Sequence, residues 1–335
     1  AKKCRSNPSN VPQVLDDCET LIYNIKNNRS SSRLVHISEN MNEVLAHLSA
    51  VRNIKDGITG VPTGYHKLDS FTGGFQKSDF IVIGGRPGMG KTSLALNFAI
   101  NAAIPQMRQS RKDFPSYPVA IFSLEMGYDQ ILERLLCILG LHDLSKLRTG
   151  LTTEDEVQAQ ARNCSLLRKA PLFFDESSPL SPAELRAKSR RLKSQLVNQG
   201  SDLGLIVVDY LQLMEPNVRH PVREQQIREI SGCLKSLAKE LKVPVIAPSQ
   251  LNRGDALEPS LDNLRESGSI EQDADLVFFV VRPEVIKKDD LTLKGKAEIR
   301  IGKHRNGPLG TVHLIYKAES ASFMPGSNFE SVEDI

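Results

Sequence analysis

The chain of 335 residues contains no tryptophan, and aromatic residues make up only 5% of it. A surface that grips nucleic acid by stacking on bases needs several exposed rings. Base stacking is therefore not the main mode of any nucleic-acid contact this chain makes. No apolar run approaches the roughly 18 residues needed to cross a bilayer, and the opening residues carry no secretion-signal pattern. The five cysteines (Cys4, Cys18, Cys137, Cys164, Cys233) are scattered without any C-x-x-C spacing. That argues against a disulfide framework and for reduced thiols in a reducing compartment. The seven histidines are equally dispersed, with no H-E-x-x-H, so a zinc site is not expected. Neither charge sign dominates: 43 Lys and Arg stand against 40 Asp and Glu, a net +3. Such a balance permits a nucleic-acid partner without requiring one. No internal repeat is visible.

With 40% apolar and 25% charged residues, the composition is that of a globular protein long enough to bury a large core. Residue 1 is Ala, not Met, so further sequence is expected upstream. Residues 1–13 read as a polar leader. Val14, Leu15, Cys18, Leu21, Ile22 and Ile25 follow helical spacing, and Asn27–Arg33 reads as a linker. A second helix carries Met41, Val44, Leu45, Leu48 and Val51 along one stripe. It is too short to fold alone, so it lies either on its own domain or on another subunit.

Turn chemistry at Gly57–Gly64 opens the main domain, which is expected to span residues 56–335. Strand-like runs at Phe80–Ile83, Val119–Ser123, Leu172–Phe174, Leu205–Val208, Val243–Ala247 and Leu276–Val281 alternate with helical patterns at Ser93–Ala103, Gln130–Leu139, Ala183–Val197 and Glu224–Leu241. This alternation predicts an α/β fold with a parallel sheet covered on both faces. Past residue 281 strands continue without helices, at Ala297–Ile301 and Thr311–Tyr316 around Asn306-Gly307-Pro308. They predict an antiparallel hairpin added at the sheet edge.

Gly85-Arg86-Pro87-Gly88-Met89-Gly90-Lys91-Thr92 fits G-x-x-x-x-G-K-[ST], between an apolar strand and a helix that begins near Ser93. Glycines let backbone N–H groups turn inward around phosphates, and the helix N-terminus adds its dipole. Lys91 is placed to reach the β- and γ-phosphates, and Thr92 to hold Mg²⁺. Asp209, ending the apolar run Leu205–Val208, supplies the second metal-side group. Tyr210 follows where a carboxylate base could have stood, so the base must come from elsewhere. Glu125, just past the strand Val119–Ser123, lies at the same sheet edge. Read alone it could also be an ordinary loop acid.

Seven segments, GVPTGYHKLD, GGRPGMGKTSLALN, FSLEM, VVDYLQLM, PSQLNR, LRESGSIEQDAD and KHRNGPLGTVHLIY, resemble in order the hexameric replicative helicases of the DnaB type, over about residues 56–320. Val11–Arg52 resembles the end of that family's N-terminal helical region and its linker helix, so residues 1–55 are assigned to that region. The resemblance implies a RecA-like ATPase domain that binds ATP and Mg²⁺, translocates 5′ to 3′ on single-stranded DNA and unwinds duplex at the fork. It also implies a homohexameric ring, primase and loader partners, no membrane, and a cytoplasmic setting at the nucleoid, with plastid stroma or a phage-infected cell as alternatives.

Residue roles follow from the same resemblance. Gly85, Pro87, Gly88, Met89, Gly90, Lys91, Thr92, Ser93, Arg134 and Asp209 contact the nucleotide, although Met126–Glu133 departs from the family's wording just before Arg134. Glu125 is catalytic. Gln250 senses the γ-phosphate, where otherwise it would merely cap a turn. Lys303 and Arg305 reach a neighbouring subunit's γ-phosphate, where otherwise they would form a solvated basic tip. Arg265, Glu266 and Gly268 hold single-stranded DNA. Arg186, Lys188, Arg190, Arg191 and Lys193 are read as a solvated helix face, and Lys287–Lys296 stays open as a second DNA loop. Two rivals remain: a filament-forming recombinase, and a nucleotide-dependent loader or adaptor without unwinding activity.

Overall fold

The computed structural model describes residues 36–39, 41–52, 57–108, 114–217, 221–252, 258–287 and 289–326. The expected helix at Val14–Ile25 and the linker Asn27–Arg33 lie outside them. Helix α1 (Met41–Arg52) forms where the apolar stripe predicts it. Its Met41, Val44, Leu45 and Leu48 are 44–58% exposed in the single chain.

From there the chain alternates as the spacing requires. Helix α2 (His66–Thr72) leads into β1 (Phe80–Gly85), α3 (Lys91–Ala103), β2 (Val119–Ser123) and α4 (Tyr128–Gly140). Then come α5 (Leu144–Thr149), α6 (Glu154–Lys169), β3 (Leu172–Asp175), α7 (Pro182–Asn198), β4 (Leu205–Asp209), α8 (Arg223–Leu241) and β5 (Val245–Gln250). Helix α9 (Gly268–Asp273), β6 (Leu276–Val281), α10 (Pro283–Ile286) and strands β7 (Lys296–His304), β8 (Gly310–Lys317) and β9 (Ser322–Pro325) complete it.

These strands form one sheet in the order β3-β2-β4-β5-β1-β6-β7-β8-β9. The first six are parallel and the last three antiparallel. Strands β1, β2, β4 and β6 are buried at every position, as strands covered on both faces must be. Ile81 and Ile83 point into one core with α3 and α4, while Phe80 and Val82 point into the other with α7 and α8. In β7 only alternate residues, Ala297, Ile299 and Ile301, are buried, the mark of a sheet covered on one face.

Two expectations need correction. The added hairpin is a three-stranded meander, because β9 pairs with β8. The basic run on α7 is not a solvated face. Arg190 is 9% exposed and pairs with Glu240, which also takes Arg186 at 3.6 Å. Lys188 meets Asp175 at 2.6 Å, and Lys193 meets Asp202 at 2.9 Å. The spacing of cations along one helix does not reveal acids supplied by neighbouring elements.

Candidate nucleotide site and the opposite sheet edge

The P-loop joins β1 to α3 at the C-terminal edge of the parallel strands, where ligands of open α/β sheets bind. Gly88 and Gly90 have φ of +80° and +91°, a region that L side chains rarely adopt. A Cβ on Gly90 would also lie 3.1 Å from the Phe323 ring. Met89 is 2% exposed and anchors the loop in the core, so its contribution toward a ligand is its backbone. Ser93 is likewise buried. Pro87 and Gly88 stand at the exposed crest. Helix α3 begins at Lys91, so the N–H groups of its first turn have no partner within the helix. Its other end is finished by Arg108, 1% exposed, whose guanidinium donates to the carbonyls of Asn101 at 2.5 Å and Ala102 at 2.6 Å.

Lys91 Nζ donates to the carbonyls of Gly85 (2.8 Å) and Arg86 (3.1 Å). Burial holds its ammonium below the usual lysine range, while Asp209 and Glu125 pull the other way. The Thr92 hydroxyl donates to Asp209 Oδ1 at 3.2 Å. Asp209 Oδ2 is buried without a hydrogen-bond partner among the described residues. Burial pushes that carboxyl up to about 6. A buried oxygen left unbonded beside a threonine hydroxyl is the donor set a hard cation requires.

Ser123, level with Asp209 across the β2–β4 pair, fastens the turn that follows it. Its Oγ donates to the Met126 carbonyl at 2.7 Å, and the Met126 N–H donates back at 3.2 Å. Glu125 projects exposed from that turn, and its charge perturbs Lys91, Asp209 and Tyr210. Arg134 on α4 lies close enough for its charge to act on Asp209. It lowers the Asp209 carboxyl, and its Nε is buried without a partner among the described residues. Gln250 ends β5 opposite Gly85. The structure thus brings Lys91, Thr92, Glu125, Arg134, Asp209 and Gln250 to one edge.

Lys303 and Arg305 are elsewhere. Lys303 is paired with Val277 near the start of β6. The Arg305 N–H donates to Asp275 O, and the Asp275 N–H to Phe80 O, both at 2.9 Å. Arg305 is therefore level with Phe80, five residues or roughly 16 Å from Gly85 along β1, at the opposite edge of the sheet. The segment carrying Arg265, Glu266 and Gly268 forms a short 3-10 helix, Leu261–Ser267, running into α9. The side chains of residues 265–268 lie outside the described set.

A sequence profile of the DnaB-like helicase C terminal domain matches residues 60–325. This chain belongs to the DnaB-like helicases. Similar proteins include the replicative DNA helicase DnaC of Bacillus subtilis (strain 168), 40% identical over 94% of this chain and 67% of the relative. The replicative DNA helicase DnaB of Haemophilus influenzae is 41% identical over 93% of this chain and 66% of the relative. The chain thus spans about two thirds of the length of these relatives. A solved DnaB-like replicative helicase, described together with its interactions with primase, superposes with a TM-score of 0.76. It is 30% identical, over 97% of this chain and 74% of that one. As a DnaB-like helicase, the chain is an enzyme of DNA replication with a RecA-like ATPase fold.

Sequence reasoning missed one residue of the P-loop surroundings. Arg282, directly after β6 and 9% exposed, donates to the Gly88 carbonyl at 2.9 Å. Its guanidinium lies 3.8 Å over the Tyr316 ring, and Glu284 takes its other side. An arginine ending an apolar strand, close to P-loop level, was the available signal.

Proposed function

We propose that this DnaB-like helicase hydrolyses ATP at sites shared between neighbouring subunits of a homohexameric ring, and that hydrolysis moves it 5′ to 3′ along single-stranded DNA to part the duplex at the fork. One observation supports the reading: the residues that the resemblance assigns to catalysis lie toward opposite edges of a single sheet. The P-loop, Asp209 and Glu125 occupy one edge, while Arg305 lies at the other and Lys303 toward it, level with Val82. A head-to-tail contact between copies is the arrangement that joins them, and such contacts close into rings when the rotation permits.

Backbone N–H groups of residues 88–92 and the Lys91 ammonium bind and orient the triphosphate. Thr92 and Asp209 would hold Mg²⁺, which would supply charge neutralisation at the phosphates. Glu125 accepts a proton from the attacking water, which its exposed position beside Asp209 allows. Arg134 balances the charge around Asp209, and Gln250 contacts the γ-phosphate side from β5. The neighbour's Lys303 and Arg305 stabilise charge spread over the transferred group. Arg265, Glu266 and Gly268 hold the DNA backbone, with Lys287–Lys296 as the alternative loop. The exposed apolar stripe of α1 docks on an adjacent subunit. Primase and a loader are the expected partners, and the cytoplasm, at the nucleoid, is the expected setting.

Mixing two inactive variants tests the division. Lys91→Ala loses the cation on the phosphates and with it nucleotide binding and turnover. Arg305→Ala retains ATP binding but loses hydrolysis by about 10³–10⁵-fold, as expected for an arginine finger. After subunit exchange, junctions pairing the intact half of each recover ATPase activity. Co-assembled rings that stay inactive at every ratio would rule out the shared site. ATPase and strand displacement in an open filament would favour the recombinase reading.

A further inference from the structure

Asp275 sits at the turn between α9 and β6, and its side chain is 8% exposed. Both carboxylate oxygens are engaged. Oδ2 accepts the Phe80 N–H at 2.8 Å and the Lys235 ammonium from α8. Oδ1 accepts Arg305 Nη1 at 3.2 Å. Lys235 is itself held by the Ser78 carbonyl at 2.9 Å. The C-terminal carbonyls of α9 take the remaining cations: Gln272 O accepts Arg305 Nη2 at 2.6 Å, and Glu271 O accepts the Lys303 ammonium.

We propose that Asp275 is a positioning residue for the ATPase reaction, holding Arg305 in the orientation in which it is presented to the neighbouring subunit. The inference rests on the shared-site reading above. An arginine side chain carries about 2 kcal/mol of rotamer entropy. An unanchored one at a sheet edge would spend that freedom each time it engaged a phosphate. Here the Arg305 side chain is 46% exposed, and its guanidinium is fixed on one side by two bonds. It has five N–H donors, so its outer side retains capacity for an anion. Asp275 is a firm anchor because Lys235 and the Phe80 amide hold it from β1 and α8, elements buried in the core. Asparagine cannot substitute: its single acceptor oxygen cannot serve the Phe80 amide, Lys235 and Arg305 together, and it brings no charge.

The test uses the full chain. Asp275→Asn lowers kcat by up to about 100-fold, the cost of misplacing a reacting group by about 1 Å, while the dissociation constant for a non-hydrolysable ATP analogue stays unchanged. Placed in an Arg305→Ala background, Asp275→Asn produces no further loss. Mixed with Lys91→Ala it gains activity, because its own P-loop meets an intact Arg305. Mixed with Arg305→Ala it gains nothing beyond the sum of the two. Should Asp275→Asn alone fail to fold, Asp275→Asn with Lys235→Met removes both buried charges together, and the same outcomes apply to it. An unchanged kcat, or an additional loss in the Arg305→Ala background, overturns the proposal. So does a missing gain with Lys91→Ala while the Lys91→Ala and Arg305→Ala mixture recovers. If that mixture itself stays inactive, the shared site falls and this proposal with it.

Discussion

The two edges of the sheet each carry a buried aspartate, and the two are treated in opposite ways. Asp209, at the C-terminal edge, is 3% exposed and leaves one oxygen without a bond. Asp275, at the N-terminal edge, is 6% exposed and has both oxygens occupied. A buried polar atom without a partner costs about 1–3 kcal/mol. The fold bears that cost at one edge and avoids it at the other. On the reading proposed above, the first edge is completed by what it receives, and the second is complete so that it can be offered.

The sharpest way to break this comparison is on the incomplete edge. Glu125→Gln should retain ATP binding and lose hydrolysis by about 10²–10⁴-fold, the range general-base catalysis contributes. Single-turnover hydrolysis of pre-bound ATP reads this directly. Loss of binding with intact hydrolysis per bound ATP would remove Glu125 from the role of base.

A smaller effect concerns Asp209 and pH. Burial pushes its carboxyl up to about 6, so Mg²⁺ held there, as proposed, would compete with a proton below that pH. Apparent Mg²⁺ affinity should fall by on the order of ten-fold for each pH unit below about 6. Without the metal the sign reverses. The folded chain then holds that proton more tightly than the unfolded chain, where aspartate ionises near 3.9. Stability from this residue therefore declines as pH rises from about 4 to about 6 and is level above. Thermal unfolding with and without Mg²⁺ at pH 5 and 7.5 checks both halves. A metal response independent of pH would take Asp209 out of the metal site.

Smallest is the effect expected at the proposed DNA contact. Arg265→Ala should weaken single-stranded DNA binding regardless of sequence and reduce the slope of log K against log salt by about one. ATPase activity without DNA should persist. An unchanged slope would move the grip to Lys287–Lys296.

Much of this was legible in the sequence, for identifiable reasons. The P-loop lies between a strand and a helix, and period alone gave both. Strands β1, β2, β4 and β6 were visible because strands buried on both faces read as continuous apolar runs, while β3, only partly buried, showed as a short apolar run. Strand β5 was read two residues early and three short, because Pro248-Ser249-Gln250 has turn composition yet continues the ladder beside β1. Helix α6 was missed although Thr153 and Glu156 form a capping box: its apolar content is low and none of its residues is fully buried. The placement of Lys303 and Arg305 opposite the P-loop could not be read, since it depends on the order of strands across the sheet. The partners of Asp275 and Arg282 were hidden for the same reason. Most are brought in from separate elements: Phe80, Lys235 and Arg305 for Asp275, and Gly88 and Tyr316 for Arg282, whose other partner, Glu284, is only two residues away.

Strand β9 has a consequence for the order of events during synthesis. Its Phe323 packs against Gly90, its backbone N–H donates to Asn97 Oδ1 at 3.3 Å, and its carbonyl accepts the Tyr65 hydroxyl at 3.0 Å. The Tyr65 contact closes a loop of 258 residues. Contacts of that separation form late, because the intervening chain must first exist and then be ordered. A chain still on the ribosome can hold every residue of its P-loop and yet lack the brace that sets Gly90 and the first turn of α3. The brace that sets Gly90 and the first turn of α3 is then acquired only after β9 has been made.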